Sequence, residues 1–546
     1  MNQKVKSLAI FIGFSLLQFL IFAGLALGRY LWGVGFLPFW LMLPLAAGVH
    51  NRRPASRGIL RWLLSLAAAL GIVVLVSLLL LSDRNRARAL FYLVPAYGGY
   101  LVAGTLVYLG AVLARRARKR PVPVRVTLLL AGLLLVASLF VVQKSPFSEI
   151  QRAYLQDHAA DMAILDREAG FDPLTAGLSG RKETVFLIGE FHGSRQNFEN
   201  RWRLLKYLHR KQGIRYYLDE GGYSHSILVN RYLESGDEYH LHTMFSSLRG
   251  TAGYTRGAWE FWRKVRAYNR TRSAERQIRC VGADMEHQID CSLRVLAGLL
   301  PQGIPAGFSA FRQLWILGDR IRELDFERER YPRELYHAIR RVIPALKETL
   351  KENPRATREI LGDGFFAFSL IVDNCMTHLR YWEDPDPRLR EAAMFRNFVR
   401  IFQHLPEPGA KKFFGQWGNA HIYQQPWEFR ERFAGMLQHH RESPVRGRVW
   451  SALALYHHSR YQDPFSGESR PIIDLHRRWI RGFFPAARGA ATLFFLDASP
   501  SPFSRSSRFL HGTLASRSRG SLGYFQGVLL VEGSPAARPY RPPDDG

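Results

Sequence analysis

The chain has 546 residues and a formal net charge of +29 that is unevenly spread. Residues 1–145 hold one acid, Asp83, against 17 Lys and Arg, while the rest holds 45 acids and 58 bases. That balance excludes a small soluble single domain, and no nucleic-acid partner is expected from it. Cys280, Cys291 and Cys375 are too few for a disulfide framework, although Cys280 and Cys291 could pair in an oxidising compartment.

The N-terminal quarter is read first. A hydrocarbon core of roughly 30 Å needs about 20 mostly apolar helical residues. Ser7–Gly28, Tyr30–Val49, Trp62–Leu81 and Ala89–Ala114 carry no charge, and Val126–Gln143 is shorter but almost wholly aliphatic. Five transmembrane helices are expected, forming an all-α membrane region over residues 1–145. Signal-peptide cleavage near Gly24 to Ala26 competes with this reading, but a second apolar span follows at once. Basic loops stay cytoplasmic. Lys4 and Lys6, then Arg52, Arg53, Arg57 and Arg61, then Arg115, Arg116, Arg118, Lys119, Arg120 and Arg125 fall in alternate loops. The N-terminus is therefore expected inside, with residue 145 onward on the outer, periplasmic face of a bacterial plasma membrane. No Asp, Glu, Lys, Arg or His lies within a span, which favours an anchor over a transport path.

Residues 146–180 read as a helical linker, on the amphipathic run Phe147–Asp172 stopped by Pro173. From 181 to 534, short β-branched and aromatic runs alternate with long helical patterns. This predicts a mixed α/β domain around a mostly parallel sheet. Strands are expected at Thr184–Ile188, Ile214–Leu218, Gln277–Val281, Lys412–Gly415, Ala491–Leu496 and Gly523–Val531, the first four parallel. A helical insertion is expected at 304–405 and a disordered tail at 535–546.

The strand ends carry the chemistry. The first ends Gly189-Glu-Phe-His-Gly, the second Asp219-Glu-Gly-Gly, the third Asp284-Met-Glu-His and the fourth Gln416-Trp-Gly-Asn-Ala-His. Ligand crevices of open parallel sheets lie outside the carboxyl ends of the strands, so these groups are expected to converge. An imidazole beside a carboxylate can take a proton from water, which suits Glu190 and His192. Alternatively Glu190, His192, Glu220, Asp284 and His421 form a mixed nitrogen and oxygen set for a divalent metal such as Zn or Mn, whose bound water becomes the nucleophile. Asp219, Glu286, His287, Gln416, Asn419 and Asn397 are read as lining the same site. Arg390, Met394 and Asn397 stand at i, i+4 and i+7 on one helical face, where Arg390 can meet a developing oxyanion or a substrate carboxylate.

Together, Gly189-Glu-Phe-His-Gly, Asp219-Glu-Gly-Gly, Gly418-Asn-Ala-His and Arg390-Glu-Ala-Ala-Met-Phe-Arg-Asn resemble the erythromycin esterase-like superfamily over about residues 180–430. That superfamily is related to the haem-binding ChaN-like proteins and to the TraB and Tiki membrane proteins. The resemblance implies that Glu190 and His192 activate water, helped by Glu220 and His421. Macrolide esterases separate that Glu and His by two residues, whereas only Phe191 intervenes here, closer to the Gly-x-x-His pattern of TraB and Tiki. This spacing disfavours macrolides and keeps a metal-dependent peptidase in view. Haem is disfavoured because Gln196 and Asn197, not a histidine, follow His192.

Other features read blandly. His209, His225, His240, His242, His457 and His458 are expected on solvated surfaces, Cys375 with His378 lacks a partner pair, and Tyr254, Trp259, Phe261 and Trp262 read as core. No Walker loop, Gly-x-Ser-x-Gly elbow or His-Glu-x-x-His helix occurs. The sequence thus predicts a membrane-anchored hydrolase of an ester, lactone or amide in a small molecule or peptide. A haem- or metal-binding protein without turnover and a membrane receptor or sensor are the alternatives.

Overall fold

The structure, a computed structural model, describes residues 147–166, 177, 181–323, 333–406, 411–426, 430–472, 481–504 and 520–541. The five expected membrane spans lie outside the described residues.

An eight-stranded mixed sheet organises these residues. Its strands are β1 (Ala159–Asp161), β2 (Val185–Glu190), β3 (Tyr216–Gly222), β4 (Arg279–Asp284), β5 (Phe413–Gly418), β6 (Val449–His457), β9 (Ala491–Phe495) and β10 (Gly527–Glu532), in the order β1-β9-β10-β6-β2-β5-β3-β4. β7 (Arg460–Gln462) and β8 (Ser469–Pro471) form a separate hairpin. The run from β10 through β6, β2, β5 and β3 to β4 is parallel, and β9 pairs antiparallel with both β1 and β10. All six residues of β2 are buried, as expected of a parallel strand covered on both faces.

The helices are α1 (Glu149–Asp157), α2 (Arg195–Gln212), α3 (Tyr223–Ser235), α4 (Glu238–Ser247), α5 (Arg256–Asn269), α6 (Ile289–Gly298), α7 (Ser309–Glu323), α8 (Arg333–Glu352), α9 (Pro354–Leu361), α10 (Phe365–Glu383), α11 (Pro387–His404) and α12 (Phe433–His439). One face of the sheet packs Phe186, Ile188 and Tyr217 against Leu204 and Leu208 of α2 and Phe261 of α5. The other packs Leu187, Leu218 and Trp417 against Met394 and Phe398 of α11 and Phe433 of α12. Each fully buried large apolar side chain contributes roughly 1.5–3 kcal/mol. Local chemistry sets the helix ends. α2 stops at Gly213, whose φ of 69° suits glycine at a left-handed cap. α11 starts with Pro387 after an Asp386 side chain that accepts from the Arg388 amide.

Several expectations need correction. The run after Phe147 is helical only to Asp157, then enters the sheet as β1, so it belongs to the fold rather than to a linker. The central strand β6, Val-Trp-Ser-Ala-Leu-Ala-Leu-Tyr-His, escaped the sequence reading because its alanines and leucines favour helix; burial between β10 and β2 overrides that preference. His457 accordingly closes a strand. His209 and His225 are buried rather than solvated. Pro535–Arg541 is ordered against the domain, with Ala537 and Tyr540 buried; residues 542–546 lie outside the described set. The stretch 304–405 is helical where described, but its last helix packs on β4 and so is part of the core. All three cysteines are free and buried.

Candidate active site

β2 delivers Glu190 to the carboxyl edge of the sheet, and the turn His192-Gly193 follows, with Gly193 at φ 80°, a value that favours glycine. Glu190 is only 7% exposed. Its Oε1 lies 2.6 Å from His192 Nδ1, and its Oε2 accepts from Arg201 at 3.0 Å. Arg201 reaches over from α2, its guanidinium against the rings of Phe198, Tyr217 and Phe261. Burial favours a neutral Glu190, but Arg201 and His192 outweigh it and hold its carboxyl below the ordinary range.

Glu220 arrives from β3. Side chains alternate along a strand, so Asp219 interacts with Arg201 on one side while Glu220 meets Arg390 of α11 on the other. Glu220 Oε2 accepts from the Gly418 amide at 2.6 Å and faces His192 Nε2 at 3.8 Å. Its Oε1 accepts from Arg390 at 3.0 Å and lies 3.3 Å from His421 Nε2. Burial opposes the charge of Glu220, but His421, His192 and Arg390 win and lower its pKa. Arg390 also holds Asp284 through Nε and through an Nη2 to Oδ2 contact of 2.5 Å. Asp284 is fully buried, which alone would favour its neutral form, yet Arg390 and His287 keep it far below the ordinary carboxylate range.

His192 therefore links two carboxylates, each anchored by an arginine. Its ring is 48% exposed. Withdrawal from water favours the neutral ring, but the charges of Glu220 and Glu190 outweigh it and raise its pKa to about 9. At neutral pH its resting form is the imidazolium. Gly418 lies against this pair: a Cβ there would stand 3.1 Å from His192 Nε2 and 3.6 Å from Glu220 Oε2, closer to the ring nitrogen than a side chain normally packs. His192 Nε2 and Glu220 Oε2 stand 3.8 Å apart, a separation that one oxygen can bridge with a hydrogen bond to each.

His421 stands between two carboxylates. Its side chain is 10% exposed, with Nδ1 2.9 Å from Glu391 Oε1 and Nε2 facing Glu220. Glu391 is fixed in turn by the Phe433 amide at 2.8 Å and by Arg432 at 3.4 Å.

The remaining sequence candidates divide. Asp219 sits beside the cluster, its pKa raised to about 6 by burial and by Glu220 and Glu190 against the pull of Arg201. His287 joins it through Asp284 Oδ2 at 3.2 Å. Glu286 turns away and accepts from Ser224 at the start of α3 and from Ser292. Asn397 donates to the Ala283 carbonyl, and Asn419 clasps the Ala454 backbone. Gln416 is buried on β5, with no hydrogen-bond partner for either amide atom among the described residues. Sequence reasoning missed Arg201, Glu391 and Arg432. Glu391 stood inside the quoted helical motif, whereas nothing marks Arg201 among the charges of α2.

The proposed metal set does not fit a cation. Among the described residues no three His, Cys, Asp or Glu side chains are grouped to hold one. The carboxylates of Glu190, Glu220 and Asp284 already face Arg201 or Arg390, and a guanidinium repels a divalent ion placed beside it. Both ring nitrogens of His192 and of His421 face carboxylates as well, which leaves neither ring turned toward a haem iron.

No protein-family profile matches the sequence, and no curated protein does. Among solved structures the chain is similar to a Bacillus cereus protein at 14% identity and a TM-score of 0.48, over 72% of this chain and 100% of that one. It is similar to an erythromycin esterase mutant in its open conformation at 15% and 0.48, over 70% and 98%. It is also similar to a succinoglycan biosynthesis protein at 13% and 0.46, over 72% and 99%. At such identities and superposition scores no activity carries across.

Proposed function

We propose that the chain is a hydrolase of an ester, lactone or amide bond, anchored in a membrane by its N-terminal apolar stretches with the α/β domain on the outer face. The observation that carries the chemistry is His192, with Nδ1 2.6 Å from Glu190 and Nε2 3.8 Å from Glu220. The strand-end motifs and the family they resemble support the same reading, whereas the anchor and its orientation rest on the apolar spans and loop charges alone.

In this reading Glu190 orients the ring, and His192, once it has lost its Nε2 proton, takes one from a water held between Nε2 and Glu220. The water oxygen bonds to the carbonyl carbon, and as the bond to the leaving oxygen or nitrogen breaks, the imidazolium of His192 passes the proton taken from water to that leaving atom. Arg390 keeps Glu220 ionised and in place. The catalytic groups are His192 and Glu220; Glu190, His421, Arg390 and Glu391 position them.

The test is turnover by the full chain in detergent against esters, lactones and peptides, before and after exhaustive chelation. Hydrolysis that survives chelation is expected. Activity lost to the chelator and restored by Zn or Mn would replace this mechanism with a metal-activated water, and silence across the panel would remove the hydrolase reading.

A further inference from the structure

The segment Ser534–Tyr540 lies across the starts of α2 and α5, and its contacts concentrate on the turn that presents His192. The Gly193 carbonyl, one residue after His192, accepts from the Ala537 amide at 2.8 Å and from the Gln462 amide at 2.9 Å. The Arg195 amide donates to Pro535 O at 3.0 Å, and Ser194 bridges to Ala536. Ser534 is the knot. Its Oγ lies 2.7 Å from Ser194 Oγ and accepts from the Gln196 amide at 3.0 Å, while its amide donates to Ser459 Oγ at 3.1 Å; both serines at the crossing are buried. The far end is tied down separately. The Arg256 amide donates to Arg538 O, and the Tyr540 ring packs 4.8 Å from Trp259 and 5.1 Å from Phe245, with its hydroxyl 2.7 Å from His242 Nδ1.

His192 itself is half exposed, and besides Glu190 it is the backbone just after it, held at Gly193 and Ser194, that fixes where the ring is presented. We propose that Ser534–Tyr540 is a strap that positions His192, with Ser534 as the positioning residue: it clamps Ser194 and the Gln196 amide directly after the Gly193 turn, whose carbonyl Ala537 holds, and so keeps Nδ1 on Glu190 and Nε2 toward Glu220. Its effect on turnover rests on the hydrolase reading, while its effect on the imidazole does not.

A displacement of about 1 Å in a reacting group lowers a rate by roughly 10²-fold. Losing the two carboxylates would let the His192 pKa fall from about 9 toward the ordinary histidine value of about 6.5. The experiment compares the full chain in detergent with Ser534→Ala and Tyr540→Ala. It reads kcat and KM together with the pH dependence of diethyl pyrocarbonate labelling of His192, mapped by mass spectrometry, since only the neutral ring reacts. Ser534→Ala should lower kcat between 10- and 100-fold with KM little changed, and should move the labelling limb to lower pH. Tyr540→Ala, which frees only the far end, should shift both in the same direction by less, and decides the matter if Ser534→Ala fails to fold.

Folded variants with the parental kcat and labelling limb would overturn the strap. If the parent hydrolyses nothing, the hydrolase reading falls and the labelling limb alone judges the strap.

Discussion

Removing one negative charge without removing its hydrogen-bonding shape gives the sharpest check on the electrostatics of the site. Glu220→Gln keeps an oxygen for the Gly418 amide while deleting the carboxylate that faces His192 Nε2 at 3.8 Å. Two unit charges at that distance attract by about 1 kcal/mol in a water-like surrounding and by about 4 kcal/mol at an effective dielectric near 20. At 1.36 kcal/mol per unit these limits correspond to about 1 and 3 pKa units. The half-exposed ring belongs near the lower limit, so a fall of about one unit is expected. With His192 near 9, only about 1% of the ring is neutral at pH 7. If the neutral ring is the base, kcat/KM of the parent rises about tenfold per pH unit from 7 and levels near 9. In Glu220→Gln that limb should level near 8, on a lower plateau because the water loses its second partner. A limb unmoved by the substitution, or a parental rate that falls toward pH 9, would refute the assignment of His192 as a base poised by two carboxylates.

The other predictions use neighbouring groups. Gly418→Ala places a methyl 3.1 Å from His192 Nε2 and should lower kcat/KM about 10²-fold with little change in Tm, seen by steady-state kinetics beside a thermal melt. Glu391→Gln weakens the hold on His421 and hence on Glu220, and should lower kcat while leaving KM nearly unchanged. Asp284→Ala strips Arg390 of its buried partner and should cost about 3 kcal/mol in denaturant unfolding of the full chain. The folded-state pKa of Asp284 is depressed, so its contribution is fully present above about pH 4 and is lost as pH falls through the folded value. The parent should therefore lose more stability on acidification than the variant does.

The parallel core of the fold was legible in the sequence because β2, β3, β4 and β5 are short apolar runs, each ending in a distinctive polar text. β6 was not, since Ala and Leu carry helix preference and only the two flanking strands reveal its role. The tail misled for a related reason: Pro, Arg and Asp resemble a disordered composition, while the contacts of Ser534 and Tyr540 with residues hundreds of positions away leave no local trace. In the site, strand-end logic located Glu190, His192, Glu220, Asp284 and His421 together, and helical spacing placed Arg390 with them. What it could not supply was the charge balance. Arg201, Arg390 and Arg432 stand against Glu190, Glu220 and Glu391, and these pairings turn a metal-like list of ligands into an ion-paired acid and base cluster. Glu286 and Asn397 show the opposite failure, since polar residues at strand ends and on helix faces also cap helices and hold backbone.

The central claim is that His192 performs the chemistry, and its most direct test is the turnover of His192→Ala beside the parent on whichever ester, lactone or amide the parent cleaves best. A loss of about 10² to 10⁴-fold in kcat, with the variant still folded and still binding substrate, is the result expected. A variant that turns over at the parental rate would contradict the account.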